Sequence, residues 1–316
     1  VYRPEGALDL AGGKGLNVAR AAGALGLKVQ VTGPLGGRVG DWVRRLARDE
    51  GLDGRWVSVA GETRSCLSIA DPVTGLTTDV NLPGPELSGE EWSRVVRLAR
   101  ECSAAADVVA VSGSLPREVG AREVRALVGG VGGGCPVAVD LAGEALVEAC
   151  AEGVWWAKGN AEEVSGAIGR QIHTPDDAAD AALTLVKRGA ANAMVSLGPQ
   201  GIVVACSSLR GAPGPRRFAA AIESPPGPDG GFRSTVGCGD VLLAGLLAAL
   251  GPAVVPTGAE GAKRPTVQTS FDEGELAGAL RLAVAAATAN LYRPGAARFD
   301  RSLVETLRSR VRVVPL

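Results

Sequence analysis

The chain reads as an α/β fold: a doubly wound, mostly parallel sheet flanked by helices, with a small β-sheet lid. Three observations predict it. Short apolar runs recur, and each stops at a cluster of small or polar residues, as strands buried on both faces do. Helical patterns lie between these runs, and β–α alternation builds a sheet with right-handed crossovers. One hairpin signature falls outside that rhythm.

The elements follow in order. A helix is read over residues 16–25, behind the turn Gly12-Gly13-Lys14-Gly15. The first core run, 29–32, ends at Gly33. Residues 64–70 and 76–81 flank Asp71-Pro72-Val73-Thr74-Gly75, a hairpin signature. With residues 1–10 it is expected to form a sheet apart from the core, a lid drawn from about 1–11 and 62–83; an ordinary edge hairpin is the alternative. A helix over 90–106 precedes the run 108–111, which ends at Ser112-Gly113-Ser114. A helix over 122–128 precedes the run 137–139 before Asp140. The run 154–157 ends at Lys158-Gly159-Asn160. A helix over 176–188 leads to the run 193–195 before Ser196-Leu197-Gly198. Residues 207–233 and 251–274, rich in Pro and Gly at their cores, read as surface loops. Between them 241–250 is apolar almost all round, hence a buried helix, and 275–291 is a further helix. The polar clusters then fall at the carboxyl ends of strands, where open α/β sheets bind ligands.

Composition narrows the function. No internal repeat or linker divides residues 1–316, so one domain is expected, and 46% hydrophobic content supports a sizeable core. A net charge of −1 gives no footprint for nucleic acid or an anionic membrane, and 3% aromatics argue against base-stacking platforms. The six cysteines show no C-x-x-C spacing, and His173, before Pro175, is the only histidine. A zinc site or disulfide framework is therefore not expected, and a reducing cytoplasm is. The longest apolar stretch, 241–255, is broken by Pro252 and too short to span a bilayer. Val1-Tyr2-Arg3-Pro4-Glu5 does not resemble a signal peptide, and with no initial Met the true N-terminus is expected to lie upstream.

The most informative run is Thr235-Val236-Gly237-Cys238-Gly239-Asp240, immediately before the buried helix. Glycine turns at helix N-termini present backbone N–H groups to anions. A carboxylate beside such a hole suits a hydroxyl attacking a phosphoryl group; alternatively Asp240 only caps the helix. Near the other end stands Gly12-Gly13-Lys14-Gly15-Leu16-Asn17-Val18-Ala19-Arg20. It is not a Walker A loop, because Gly15 stands where that motif needs Ser or Thr. Taken alone it is a tight turn before a helix.

Together the two runs resemble the signatures of the PfkB (ribokinase-like) family of carbohydrate kinases. Ser112-Gly113-Ser114-Leu115-Pro116 is similar to the family's S-G-S-L-P element, and Asp140-Leu141-Ala142-Gly143-Glu144-Ala145-Leu146 to its D-T-S-G-E-A-L. Lys158-Gly159-Asn160-Ala161-Glu162-Glu163 resembles K-P-N-x-E-E, and Ser196-Leu197-Gly198-Pro199-Gln200-Gly201 matches S-L-G-x-x-G. The branch resembled is that of the phosphosugar kinases: 1-phosphofructokinases, minor-type 6-phosphofructokinases and tagatose-6-phosphate kinases.

The resemblance implies an ATP- and Mg²⁺-dependent kinase of a phosphorylated ketohexose, and it implies roles. Asp240 takes the proton from the acceptor hydroxyl, and Gly237, Cys238 and Gly239 form the anion hole. Asn160 and Glu163 organise Mg²⁺ and the nucleotide phosphates, Glu163 through water. Ser196, Gly198, Gly201 and Asn290 border the nucleotide. Lys14 and Arg64 hold the phosphate already on the sugar, while Gly13 and Asn17 face the sugar. A helix N-terminus is expected to depress the Asp240 pKa. Partners are then the phosphosugar and ATP, with neither nucleic acid nor membrane, and a homodimer paired through the lid.

The chain departs from the family pattern at several points. Cys238 stands where Ala is usual, Gly159 replaces Pro, and Leu141 and Ala142 replace Thr and Ser. The family's first strand, carrying N-P-A-L-D, is expected to be missing. Two other readings stay open: a kinase for an unphosphorylated sugar or nucleoside, which leaves Lys14 and Arg64 without a partner, and a non-catalytic sensor of sugar phosphates or nucleotides, against which the intact Asp240 argues.

Overall fold

A computed structural model of the protein describes residues 6–71, 77–133, 135–207, 209–222, 234–251 and 269–316. The first half runs α1 (Lys14–Ala24), β1 (Gln30–Leu35), α2 (Gly37–Asp49), β2 (Asp53–Ser58), β3 (Cys66–Ala70), β4 (Thr77–Asn81), α3 (Gly89–Ser103), β5 (Val109–Ser112), α4 (Ala121–Gly132), β6 (Val137–Asp140) and α5 (Glu144–Ala151). It continues with β7 (Trp156–Asn160), α6 (Ala161–Ile168), α7 (Pro175–Lys187), β8 (Asn192–Ser196), β9 (Ile202–Cys206), β10 (Arg216–Ile222), α8 (Cys238–Leu250), α9 (Glu273–Asn290), α10 (Arg301–Arg308) and β11 (Val311–Pro315).

The central sheet has seven strands among the described residues, in the order β11-β10-β9-β8-β7-β6-β5. Strands β5 to β8 are parallel, and β8 to β11 pair antiparallel. Every residue of β6 and β9, and all but the last of β7 and β8, is buried. That is why these strands read as continuous apolar runs and not as alternating ones. One face is covered by α1, α8, α9 and α10, the other by α3, α4, α5 and α7, so the sheet is doubly wound. Helix starts are fixed locally. Ser88 with Glu91, Asn160 with Glu163, Thr174 with Asp177 and Asp272 with Glu275 form capping boxes, each satisfying two backbone donors.

The structure corrects the sequence reading in places. The stretch 207–233 was expected to be loop, yet it contains β10; Phe218 and Ala220 face the core, and the surrounding Pro and Gly masked this short run. Residues 6–12 form no strand with the hairpin, which is a two-stranded sheet of β3 and β4 alone among the described residues; residues 1–5 and the turn at 72–76 lie outside them. Most of the second expected loop, 252–268, also lies outside them. β1 pairs in parallel with β2 as a sheet separate from the central one, and α1 packs against β1, β5 and α8.

Candidate active site

The site is assembled where the carboxyl ends of β6 and β7 meet the first turns of α1, α6 and α8. Gly237 caps α8 with φ 81°, and a Cβ on it would lie 2.7 Å from the Ala297 nitrogen, so glycine is required twice over. The first helical amides have no intrahelical acceptor. The Cys238 N–H, however, donates to the Thr235 carbonyl at 3.1 Å. Of the three expected anion-hole residues, Cys238 thus has its N–H engaged within the turn, while the Gly237 and Gly239 N–H groups make no such backbone bond among the described residues. Asn290, expected beside the nucleotide, is fully buried. Its amide donates to Val236 O (2.9 Å) and Cys238 Sγ (3.3 Å) and accepts from Arg298 N (3.0 Å), which braces the turn from behind.

Asp240 lies in the first turn of α8 and is 5% exposed. Its Oδ2 accepts from Asn17 Nδ2 at 2.8 Å, across 223 residues of sequence. Burial raises its pKa to about 6; the Asn17 hydrogen bond and the Lys158 and Lys14 charges pull the other way, and Asp140 adds to the rise. This reverses the depression expected from the helix N-terminus, because desolvation outweighs the Asn17 hydrogen bond and the two lysine charges. The carboxylate is still mainly ionised at neutral pH, and its proton affinity is closer to that of a working base.

Around Asp240 stands a compact charge cluster. Lys14 Nζ donates to Glu163 Oε1 at 2.8 Å and to Asp140 Oδ1 at 3.3 Å. Lys158 Nζ donates to the other Asp140 oxygen at 2.7 Å, and both of these groups are buried. Burial opposes the Lys14 charge, but Asp140, Glu163 and Asp240 overcome it and raise its pKa. For Glu163, burial is likewise outweighed, by Lys14, the Asn160 N–H and Lys158, and its pKa is lowered. Gly239 is explained by the same cluster: a Cβ there would sit 3.0 Å from Lys158 Nζ.

The structure thus brings together Lys14, Asn17, Asn160, Glu163 and the Gly237–Asp240 turn. Gly13, φ 118°, caps α1 on the exposed side of the glycine turn. Ser196 ends β8, one strand beyond β7, and is followed by Gly198 (φ 58°) and Gly201 (φ 90°), where a Cβ would meet Ala220 O at 2.3 Å. Arg64 is exposed on the β2–β3 connection, and no hydrogen bond or ion pair among the described residues joins it to Lys14. Sequence reasoning gave no role to Asp140, Lys158 or Arg20, although all three lie inside quoted motifs. A charge in an otherwise apolar strand end was the available signal for the first two.

Comparison with known proteins bears on the family and the fold. The model of the pfkB family carbohydrate kinases matches residues 9–301. The chain is 32% identical over 253 residues to the 1-phosphofructokinase of Haloferax volcanii, covering 79% of this chain and 75% of that one. It is 33% identical over 270 residues to the 1-phosphofructokinase of Rhodobacter capsulatus, covering 84% and 79%. Phosphofructokinase-2 from Escherichia coli has been solved in complex with fructose-6-phosphate and in a tetrameric inhibited form. Each structure superposes with a TM-score of 0.75 at 26% identity, covering 98% of this chain and 92% of the other. The fold is that of these kinases, and the chain belongs to the pfkB family of carbohydrate kinases.

Proposed function

We propose that the protein transfers the terminal phosphoryl group of ATP to a hydroxyl of a phosphorylated ketohexose, giving a bisphosphate. The candidate acceptors are fructose 1-phosphate, fructose 6-phosphate and tagatose 6-phosphate. The observation that carries this reading is the buried Asp240 carboxylate at a glycine anion hole, with the Lys14 ammonium in the same cluster. The names of the relatives support a phosphosugar as acceptor.

Asn17 orients the Asp240 carboxylate through Oδ2, which leaves Oδ1 to take the acceptor proton. The hydroxyl oxygen bonds to phosphorus as its proton passes to Asp240, and the bond to the ADP oxygen breaks. The Gly237 and Gly239 N–H groups then face charge that develops on the moving phosphoryl group. Lys158 lies under this turn and adds positive charge there. Lys14 and Arg64 hold the sugar's own phosphate, and Gly13 and Asn17 face the sugar ring. Arg64 is suited to this because its guanidinium has no partner among the described residues. Ser196, Gly198 and Gly201 border the nucleotide, while Asn290 acts from behind by holding the turn.

The donor set suits Mg²⁺ carried on the nucleotide. No group of three or more His, Cys, Asp or Glu among the described residues could cage a metal. One carboxylate, Glu163, fits a hydrated ion that keeps most of its waters, and its oxygens are already engaged by Lys14 and the Asn160 N–H. Glu163 and Asn160 would therefore hold the ion through water, and when bound it offsets phosphate charge.

The β3–β4 hairpin exposes Leu67, Ile69 and Val80. We place it as the lid of a single kinase domain and as the face through which two copies pair. Six free cysteines, and no helix among the described residues long and apolar enough to cross a membrane, support a cytoplasmic enzyme. The test is a panel of phosphorylated and free sugars with and without ATP. Product formed only from a phosphoketohexose and ATP is expected; faster turnover of free fructose or ribose would replace this reading.

A further inference from the structure

Asp240 is reached by a chain of contacts that begins far from the reacting atoms. Arg20, one helical turn beyond Asn17, is nearly buried, with 11% of its side chain exposed. Its guanidinium is engaged in every direction. Nε donates to Glu50 Oε2 at 2.7 Å, and Nη2 lies 2.6 Å from the same oxygen. Nη2 also donates to the Ala11 carbonyl at 2.7 Å. Nη1 donates to Asn17 Oδ1 at 2.9 Å and to the Ala296 carbonyl at 3.1 Å. Glu50, just past the end of α2, returns the clamp by accepting from Ala11 N at 3.0 Å.

The chemistry of these groups fixes one arrangement. A guanidinium only donates, so the amide end facing it must be the oxygen. The nitrogen of Asn17 then points at Asp240, where it donates at 2.8 Å. If the amide turned over, two oxygens would confront each other in a buried site. The same guanidinium holds Ala296, and residues 296 and 297 back directly against Gly237. Ala297 has φ 58°, the only positive φ of a non-glycine among the described residues, so this loop needs external support.

We propose that Arg20, clamped by Glu50, is a positioning residue for phosphoryl transfer: it sets the Asn17 amide to donate to Asp240 and ties that amide to the loop behind the glycine turn. This rests on the reading of Asp240 as the base. The groups facing Asp240 are Asn17 and Lys14 from α1, Asp140 from β6, Lys158 from β7 and Cys238 from its own helix. Arg20 acts on it only through Asn17.

The test uses the full chain with Arg20→Met, Arg20→Lys and Glu50→Gln, each alone and in an Asn17→Leu background. A lost hydrogen bond to a charged group predicts that Arg20→Met lowers kcat by roughly 10–100-fold, while KM for ATP holds within about twofold. The acid limb of the kcat profile should move to higher pH, since the contact that favours the ionised carboxylate is weakened. Arg20→Lys should recover part of both effects. In the Asn17→Leu background, Arg20→Met should add little, because the amide it sets is gone. Glu50→Gln, which keeps the guanidinium, should give a smaller shift in the same direction and carries the test if Arg20→Met does not fold. An acid limb that stays in place in Arg20→Met and Glu50→Gln, or losses that multiply in full on Asn17→Leu, would overturn the proposal. Full activity in Asp240→Asn would instead overturn the base reading beneath it.

Discussion

Replacing Asp240 by Asn should make the protein inactive and more stable. The carboxyl's pKa rises from the usual 3.8 to about 6 on folding, chiefly through burial. The folded state therefore holds this proton more tightly than the unfolded chain. Stability falls as pH rises from the unfolded value to the folded one and is level above it. About two pH units at 1.36 kcal/mol each give a penalty of ~3 kcal/mol at pH 8, of which about half remains at pH 5. Asn keeps the acceptor for Asn17 and removes the charge. Its NH₂ group faces the Lys158 ammonium less well, which offsets about 1–2 kcal/mol of the gain. A net gain of ~1–2 kcal/mol corresponds to a Tm rise of ~1.5–3 °C for a chain of this size. Calorimetry at pH 8 and pH 5 should show the rise shrinking or vanishing at the lower pH. Turnover should fall at least about 10²-fold, the usual scale of base catalysis. A Tm lowered equally at both pH values would refute the buried-charge argument. Retention of more than about a tenth of kcat would refute the base assignment.

Other outcomes follow from the same cluster. Glu163→Gln should raise the Mg²⁺ concentration for half-maximal rate, measured by metal titration at saturating ATP. Arg64→Ala should raise KM for the phosphosugar by roughly 10–100-fold and leave KM for ATP nearly unchanged, from the worth of a charged hydrogen bond to phosphate. Gly239→Ala should displace the Lys158 ammonium, since its Cβ would lie 3.0 Å away, and so lower kcat with little change in Tm. The wild-type kcat profile should lose activity on its acid side near pH 6, where Asp240 takes up a proton.

Much of this was legible in the sequence because it is local. The runs before Asp140, Lys158 and Ser196 announce buried strands, and the polar residue that ends each run marks the site edge. Asp240 was legible because a charge beside glycines and a wholly apolar helix is costly without a role. Long-range couplings were not. Nothing in the spacing says that Asn17 meets Asp240, that Lys14 bridges Asp140 and Glu163, or that Arg20 reaches Ala296. The sign of the Asp240 shift also depended on how deeply the turn is buried, which is a property of the packed fold. β10 escaped for a related reason: its core contacts are made across the sheet, while its neighbours in sequence read as loop.

The distribution of thiols gives the molecule a ready chemical handle. Burial pushes Cys150 and Cys206 up to about 12 and Cys238 up to about 11, so these sulfurs stay protonated and shielded from maleimides at neutral pH. Cys102 is raised in the same sense, and Cys135 is partly covered. Cys66 alone is exposed, and it opens the first strand of the hairpin. A fluorophore coupled to the unaltered chain should therefore settle on the hairpin first. Its emission would report in real time how that hairpin responds as sugar phosphate and nucleotide arrive, with no engineered cysteine.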